Sequence, residues 1–251
     1  MFRAIAIAAM SLLPGPVVAA EHAHHWSYSG SSGPSHWAAL DHAFAGCAQG
    51  KAQSPVGIDT HHVVTQALPP IIFDYHPSAL RIIDNGHTIQ VNAGAGSSIK
   101  IGDDRYQLVQ FHFHHPSEEK IDGRASDMVA HLVHRDAQGR LAVVAVLLQQ
   151  GRENPLIATL WHNHPRQLDH EEVIKGVSIN PAALLPADRS YFSYAGSLTT
   201  PPCSEGVRWL VLKTPVTLSP AEVAAFAKKY PNNARPIQPL NGRRIVASSS
   251  R

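Results

Sequence analysis

A chain of 251 residues that is 44% apolar and 16% charged has the makings of a folded protein with a sizeable core. Its formal net charge is only +2, and the one tight basic cluster, Arg243-Arg244 with Arg251 nearby, has no interleaved aromatics. Composition therefore argues against a nucleic-acid partner.

The chain opens with Arg3, the apolar run Ala4 to Leu13, two prolines, and Val18-Ala19-Ala20. A basic start, a short apolar stretch and a small-residue end form the pattern of a secretory signal peptide. Residues 1–20 are expected to be removed, leaving residues 21–251 as one domain. A membrane anchor is the alternative, against which the run is short and interrupted by two prolines. Export, to the periplasm or the medium, is the expected fate. Cys47 and Cys203 then lie where a disulfide can form, with two free buried thiols as the alternative. A bridge closing so long a loop would contribute about 4–5 kcal/mol in the chain-entropy account.

Glu21 to Pro34 reads as an irregular arm anchored by Trp26 and Tyr28. Ser35 is placed to cap a helix over Trp37 to Phe44. From Pro70 onward, short strand-like runs follow: Ile71 to Tyr75, Leu80 to Ile83, His87 to Asn92, Ser98 to Ile101 and Tyr106 to His114. Asn85-Gly86 marks a tight turn just before His87. In Leu108 to His114, Val109, Phe111 and Phe113 alternate with Gln110, His112 and His114. Side chains on a strand alternate between faces, so His112 and His114 share one face and the aromatics the other. The strand Met128 to His134 presents His131 on the matching face if the two pair antiparallel. Among 17 histidines a chance His-x-His is cheap, and a lone His131 reads as core. Three histidines converging with one open position form a catalytic zinc arrangement.

Leu141 to Leu148 completes a hairpin through the Asp136-to-Gly139 turn. Asn154-Pro155 starts a helix through Trp161, capped by the asparagine. Tyr191 to Leu198 and Arg208 to Lys213 are further strands, and Ser219-Pro-Ala-Glu222 is a capping box for a helix to Lys229. Many short strands at regular spacing predict a mainly β single domain.

Gln110-Phe-His-Phe-His114, Ala130-His-Leu-Val-His134 and Tyr194-Ala-Gly-Ser-Leu-Thr-Thr-Pro-Pro202 closely resemble the α-class carbonic anhydrases in order and spacing. Gln53-Ser-Pro55, Asn85-Gly-His87 and Arg235-Pro-Ile-Gln-Pro-Leu240 extend the likeness from about Trp26 to Ile245. The leader and the single cysteine pair resemble the bacterial, exported branch. The resemblance implies a central twisted, mostly antiparallel β-sheet with short peripheral helices. It also implies reversible hydration of carbon dioxide to bicarbonate, by attack of zinc-bound hydroxide. His112, His114 and His131 match the Zn2+ ligands. Thr199 and Glu118 match the pair that orients the nucleophile, and His87 the proton shuttle, with Tyr28 and Asn85 along the proton path. Val133, Val143, Leu198, Thr200, Val207 and Trp209 match the substrate pocket. Gln110 and the Asn233 carbonyl match the groups that hold His112 and His114. The family usually places a glutamate two residues before the third ligand, where this chain has Val129. Glu119 is expected to take over as the partner of His131, with water or a backbone carbonyl as the alternative. Other readings are ester hydrolysis as a side activity, a metal-free binding module, and zinc storage by the histidine-rich arm. All three ligand histidines are present, which counts against the binding module. The only partner implied is the small-molecule substrate, and a homodimer stays open.

Overall fold

The computed structural model describes residues 25–249; the expected leader, His22, His24 and Arg251 lie outside them. Seven strands and two helices position the site. They are β1 (Ser78–Asp84), β2 (Ile89–Asn92), β3 (Asp104–His114), β4 (Met128–Arg135), β5 (Leu141–Gln150), β6 (Tyr191–Ser197) and β7 (Glu205–Leu212), with α1 (Pro155–His162) and α2 (Pro220–Lys229). The strands belong to a 13-stranded sheet whose main path runs Glu172–Ile179, β1, β2, β3, β4, β5, β7, β6, Val246–Ser248, Val64–Gln66. Pairing along it is antiparallel, except for parallel β5–β7 and parallel Val246–Ser248 with Val64–Gln66. The expected mainly β architecture is what the chain adopts.

Strand β5 explains why the sheet is closed on both faces. Ala142 through Leu148 are all buried, the pattern of a strand with core above and below. On one face Phe111, Phe113, Leu132, Val144 and Leu210 pack beneath Leu156, Ile157 and Leu160 of α1 and Phe226 of α2. On the other, Val129, Val143, Ala145, Val207, Trp209 and Tyr194 form a second apolar layer. The histidines sit on this second face. Helix α1 is capped by Asn154, whose side chain accepts from Leu156 and Ile157; helix α2 carries the Ser219/Glu222 capping box.

Three local expectations are corrected. Val109 does not share the buried face of Phe111 and Phe113: it is exposed, because the β3–β4 register slips between Val133 and His134. A bulge there adds one residue and shifts the phase, so Leu108 and Phe111 both face the core. The helix expected over Trp37 to Phe44 breaks in two, Trp37–Leu40 and the 3-10 turn His42–Phe44. Asp41 is extended there, and its carboxylate accepts from the Ala43 amide, offering the backbone an alternative to the helix. Ser35 is not the cap either; His36 holds that position without a side-chain bond. The strand Glu172–Ile179 was not expected, because its pairing with β1 breaks between Val173 and Ser178 around left-handed Gly176.

Candidate active site

Strand register brings the histidines together. In the β3–β4 ladder His131 lies opposite His112, and Val129 opposite His114. Ring centroids are 5.0 Å apart for His112–His114, 5.5 Å for His112–His131 and 4.7 Å for His114–His131. One ring nitrogen from each falls within 4.8 Å of the others.

The remaining nitrogens are each occupied. His112 Nδ1 lies 2.8 Å from Gln110 Oε1, His114 Nδ1 donates to the Asn233 carbonyl at 2.7 Å, and His131 Nε2 lies 3.0 Å from Glu119 Oε1. That leaves His112 Nε2, His114 Nε2 and His131 Nδ1 facing the shared space. His114 Nε2 is fully buried and has no hydrogen-bond partner among the described residues. A buried polar nitrogen left alone is costly, and a cation shared by three imidazoles would satisfy it. The donor set fits zinc, which takes three histidines and keeps a fourth position open in catalytic sites.

Electrostatics favour neutral rings at two of the three positions. Burial, reinforced by His131, holds His112 down to about 3 and, with His112 as well, holds His114 well below the usual imidazole range. Burial also pulls His131 down, but the Glu119 carboxylate, by charge and hydrogen bond, and then Glu118 outweigh it and raise His131. Burial pushes Glu118 up to about 7, against the pull of His131, with Glu119 adding to the rise.

Glu118 Oε1 accepts from the Arg235 amide at 2.8 Å, while Oε2 has no hydrogen-bond partner among the described residues. The Thr199 hydroxyl lies close enough to lower the Glu118 pKa, as the smallest of its influences, but does not close a bond to Oε2. Thr199 and Thr200 follow β6, in a connection held by Leu198 N to Ser204 O (2.9 Å) and Cys203 N to Thr200 O (2.8 Å). Cys203 is bonded to Cys47 across 156 residues, so the bridge anchors this connection. Val143, Val207 and Trp209 are buried in the apolar layer beside the histidines, with Val133 and Leu198 partly buried against it. The Trp209 ring meets His131 edge-on at 4.9 Å.

His87 stands at the end of the Asn85-Gly86 turn. Its ring stacks on Trp26 at 3.6 Å and 8°, with the His25 ring 5.8 Å away. Burial and then His25 lower its pKa, against the pull of Asp169. The Asn85 side-chain oxygen is committed to the turn, accepting from the amides of His87 (3.1 Å) and Thr88 (3.0 Å). Tyr28 packs edge-on against Trp26 and Trp37, and burial, then Glu118, raises its phenol.

Two participants escape sequence reasoning. Buried Arg235 was noticed only as part of a motif. Its guanidinium donates to Gln53 Oε1, Ser54 O and Cys47 O while its amide holds Glu118. Trp26, expected only to anchor the arm, is the platform under His87. No local pattern signals either partnership.

The family model for eukaryotic-type carbonic anhydrase matches residues 32–249. A carbonic anhydrase from a Nostoc species is 43% identical over 225 residues, covering 88% of this chain and 85% of its own length. One from Klebsiella pneumoniae is 42% identical over 245 residues, covering 96% of each. The α-carbonic anhydrase of Thermovibrio ammonificans, solved with the inhibitor sulfanilamide, superposes with a TM-score of 0.86 at 41% identity, covering 89% of this chain and 99% of that one. With matches spanning nearly all the described residues, the chain belongs to the α-carbonic anhydrase family, enzymes of the lyase class.

Proposed function

We propose that this protein reversibly hydrates carbon dioxide to bicarbonate with zinc held by His112, His114 and His131. The observation that carries the reading is the convergence of three imidazoles whose outer nitrogens are all engaged elsewhere. When bound, zinc supplies Lewis acidity that makes water a nucleophile near neutral pH, as already established for carbonic anhydrases.

The chain's own residues do the rest. Thr199 carries one hydroxyl proton and gives it to Glu118; that Glu118 Oε2 is buried with no hydrogen-bond partner among the described residues supports this reading. A hydroxyl that donates there can only accept elsewhere, which orients the attacking oxygen. Val133, Val143, Leu198, Val207 and Trp209, with Thr200 at the edge, form an apolar wall suited to a small uncharged substrate. His87 passes the released proton to solvent, since an imidazole changes charge near neutral pH. Tyr28 and Asn85 line that route, and Glu119 fixes the ring of His131. The same site is proposed to hydrolyse activated esters as a side activity.

We further propose export to the periplasm or medium, with residues 1–20 as the signal peptide and residues 21–251 as the mature catalytic domain. Among the described residues no helix is long and apolar enough to cross a membrane.

The test is rapid-mixing carbon dioxide hydration on wild type, His131→Ala and His87→Ala, with metal content measured on each. His131→Ala should lose bound zinc and nearly all turnover. His87→Ala should keep kcat/KM but lose kcat in dilute buffer, with imidazole partly restoring it. Full turnover by wild type stripped of metal would overturn the reading.

A further inference from the structure

The turn that carries His87 is held at both ends by one short segment. Asp84, the last residue of β1, is 2% exposed. Its Oδ1 accepts from the Gly86 amide at 3.0 Å and from the Tyr230 hydroxyl, and Lys229 Nζ pairs with Oδ2. Its carbonyl accepts from the Asp169 amide at 2.7 Å. Three residues beyond Tyr230, Asn233 Nδ2 donates to the His87 carbonyl at 2.9 Å. The carbonyl of the same Asn233 accepts from His114 Nδ1 at 2.7 Å.

A cavity of about 170 Å³ is bordered by Tyr230, Lys229, His164 and Ile89. Tyr230 is buried in the main core, and the hydrogen bonds link it from there to the turn. Tyr230 itself is fixed, since its amide caps α2 at Phe226 O and its ring lies 5.1 Å from that of Phe226.

We infer that Tyr230 and Asp84 are positioning residues for proton transfer: they clamp the first residue of the Asp84–His87 turn while Asn233 clamps the last, setting the distance between His87 and the three-histidine site. The inference rests on His87 being the shuttle. Proton transfer falls steeply when donor and acceptor drift apart, so a loosened turn slows that step without touching the hydration chemistry.

The test compares Tyr230→Phe and Asp84→Asn with wild type and His87→Ala. Tyr230→Phe keeps the ring and removes only the hydroxyl. In dilute buffer its kcat should fall about fivefold, with kcat/KM unchanged and imidazole restoring the loss. In metal-free protein, the Gly86 amide should exchange with solvent faster than in wild type. If His87→Ala shows the dilute-buffer deficit while both clamp variants match wild type, the clamp is overturned and the shuttle stands. If His87→Ala shows no deficit, the shuttle reading falls and takes the clamp's role with it. A variant with lower melting temperature but wild-type kcat also overturns the proposal, because it marks the clamp as serving stability alone.

Discussion

Glu119 Oε1 lies 3.0 Å from His131 Nε2, both side chains almost wholly buried. The acid arrives from the loop after β3, twelve residues before its partner, and not from the Val129 position where the family usually keeps it. A carboxylate on the outer nitrogen fixes the tautomer, leaving Nδ1 for the cation, and raises the ring's basicity. Glu119→Gln should weaken zinc binding by about 10- to 100-fold. Competition with a chromogenic chelator measures it, and unchanged zinc affinity together with unchanged turnover would sink the assignment.

The Cys47–Cys203 bridge ties the N-terminal helical turns to the connection carrying Thr199 and Thr200. Replacing both cysteines by serine should lower the unfolding free energy by about 4–5 kcal/mol if chain entropy dominates. Urea unfolding of the double variant, beside wild type held in reductant, reads the difference. Equal midpoints for oxidised wild type and the variant would contradict it.

His134 lies on the far face of β4, fully buried, with its Nε2 2.8 Å from the Tyr75 hydroxyl. Burial holds it down to about 3, against backbone bonding that pulls the other way. The unfolded chain therefore takes up this proton first, near roughly pH 6.5. Stability should fall as pH drops from there toward 3, by about 1.4 kcal/mol per unit for this group. His134→Gln should show a shallower acid slope by about one proton in denaturant titrations; identical slopes would refute the account.

Processing offers a separate check. Protein recovered from the export compartment should begin at Glu21, which intact mass reports directly. A mass that retains residues 1–20 in that fraction would rule out cleavage there.

The three-histidine cluster was legible because period-two alternation is a strong local signal: His112 and His114 follow from Phe111 and Phe113, and His131 from Val129 and Val133. Helix caps at Asn154 and Ser219 were legible for the same reason, since side chain and backbone partner lie within three residues. The Val109 bulge was not, because the phase shift depends on what β4 offers across the ladder. Nor was the role of Arg235, whose amide meets Glu118 across 117 residues of chain. The sequence motif located that arginine; only the fold supplies its partners. The stacking of Trp26 on His87 is equally non-local.

Strands β3 and β4 each pair along both edges, with β2 and β5 as their outer neighbours. The backbone positions that carry the imidazoles cannot move apart without tearing a ladder in the middle of the sheet. Their ordering entropy is thus settled during folding, and a captured cation meets rings already aimed. Removal of that cation should accordingly leave the strands paired and the three rings in register, so that the metal-free domain stays folded.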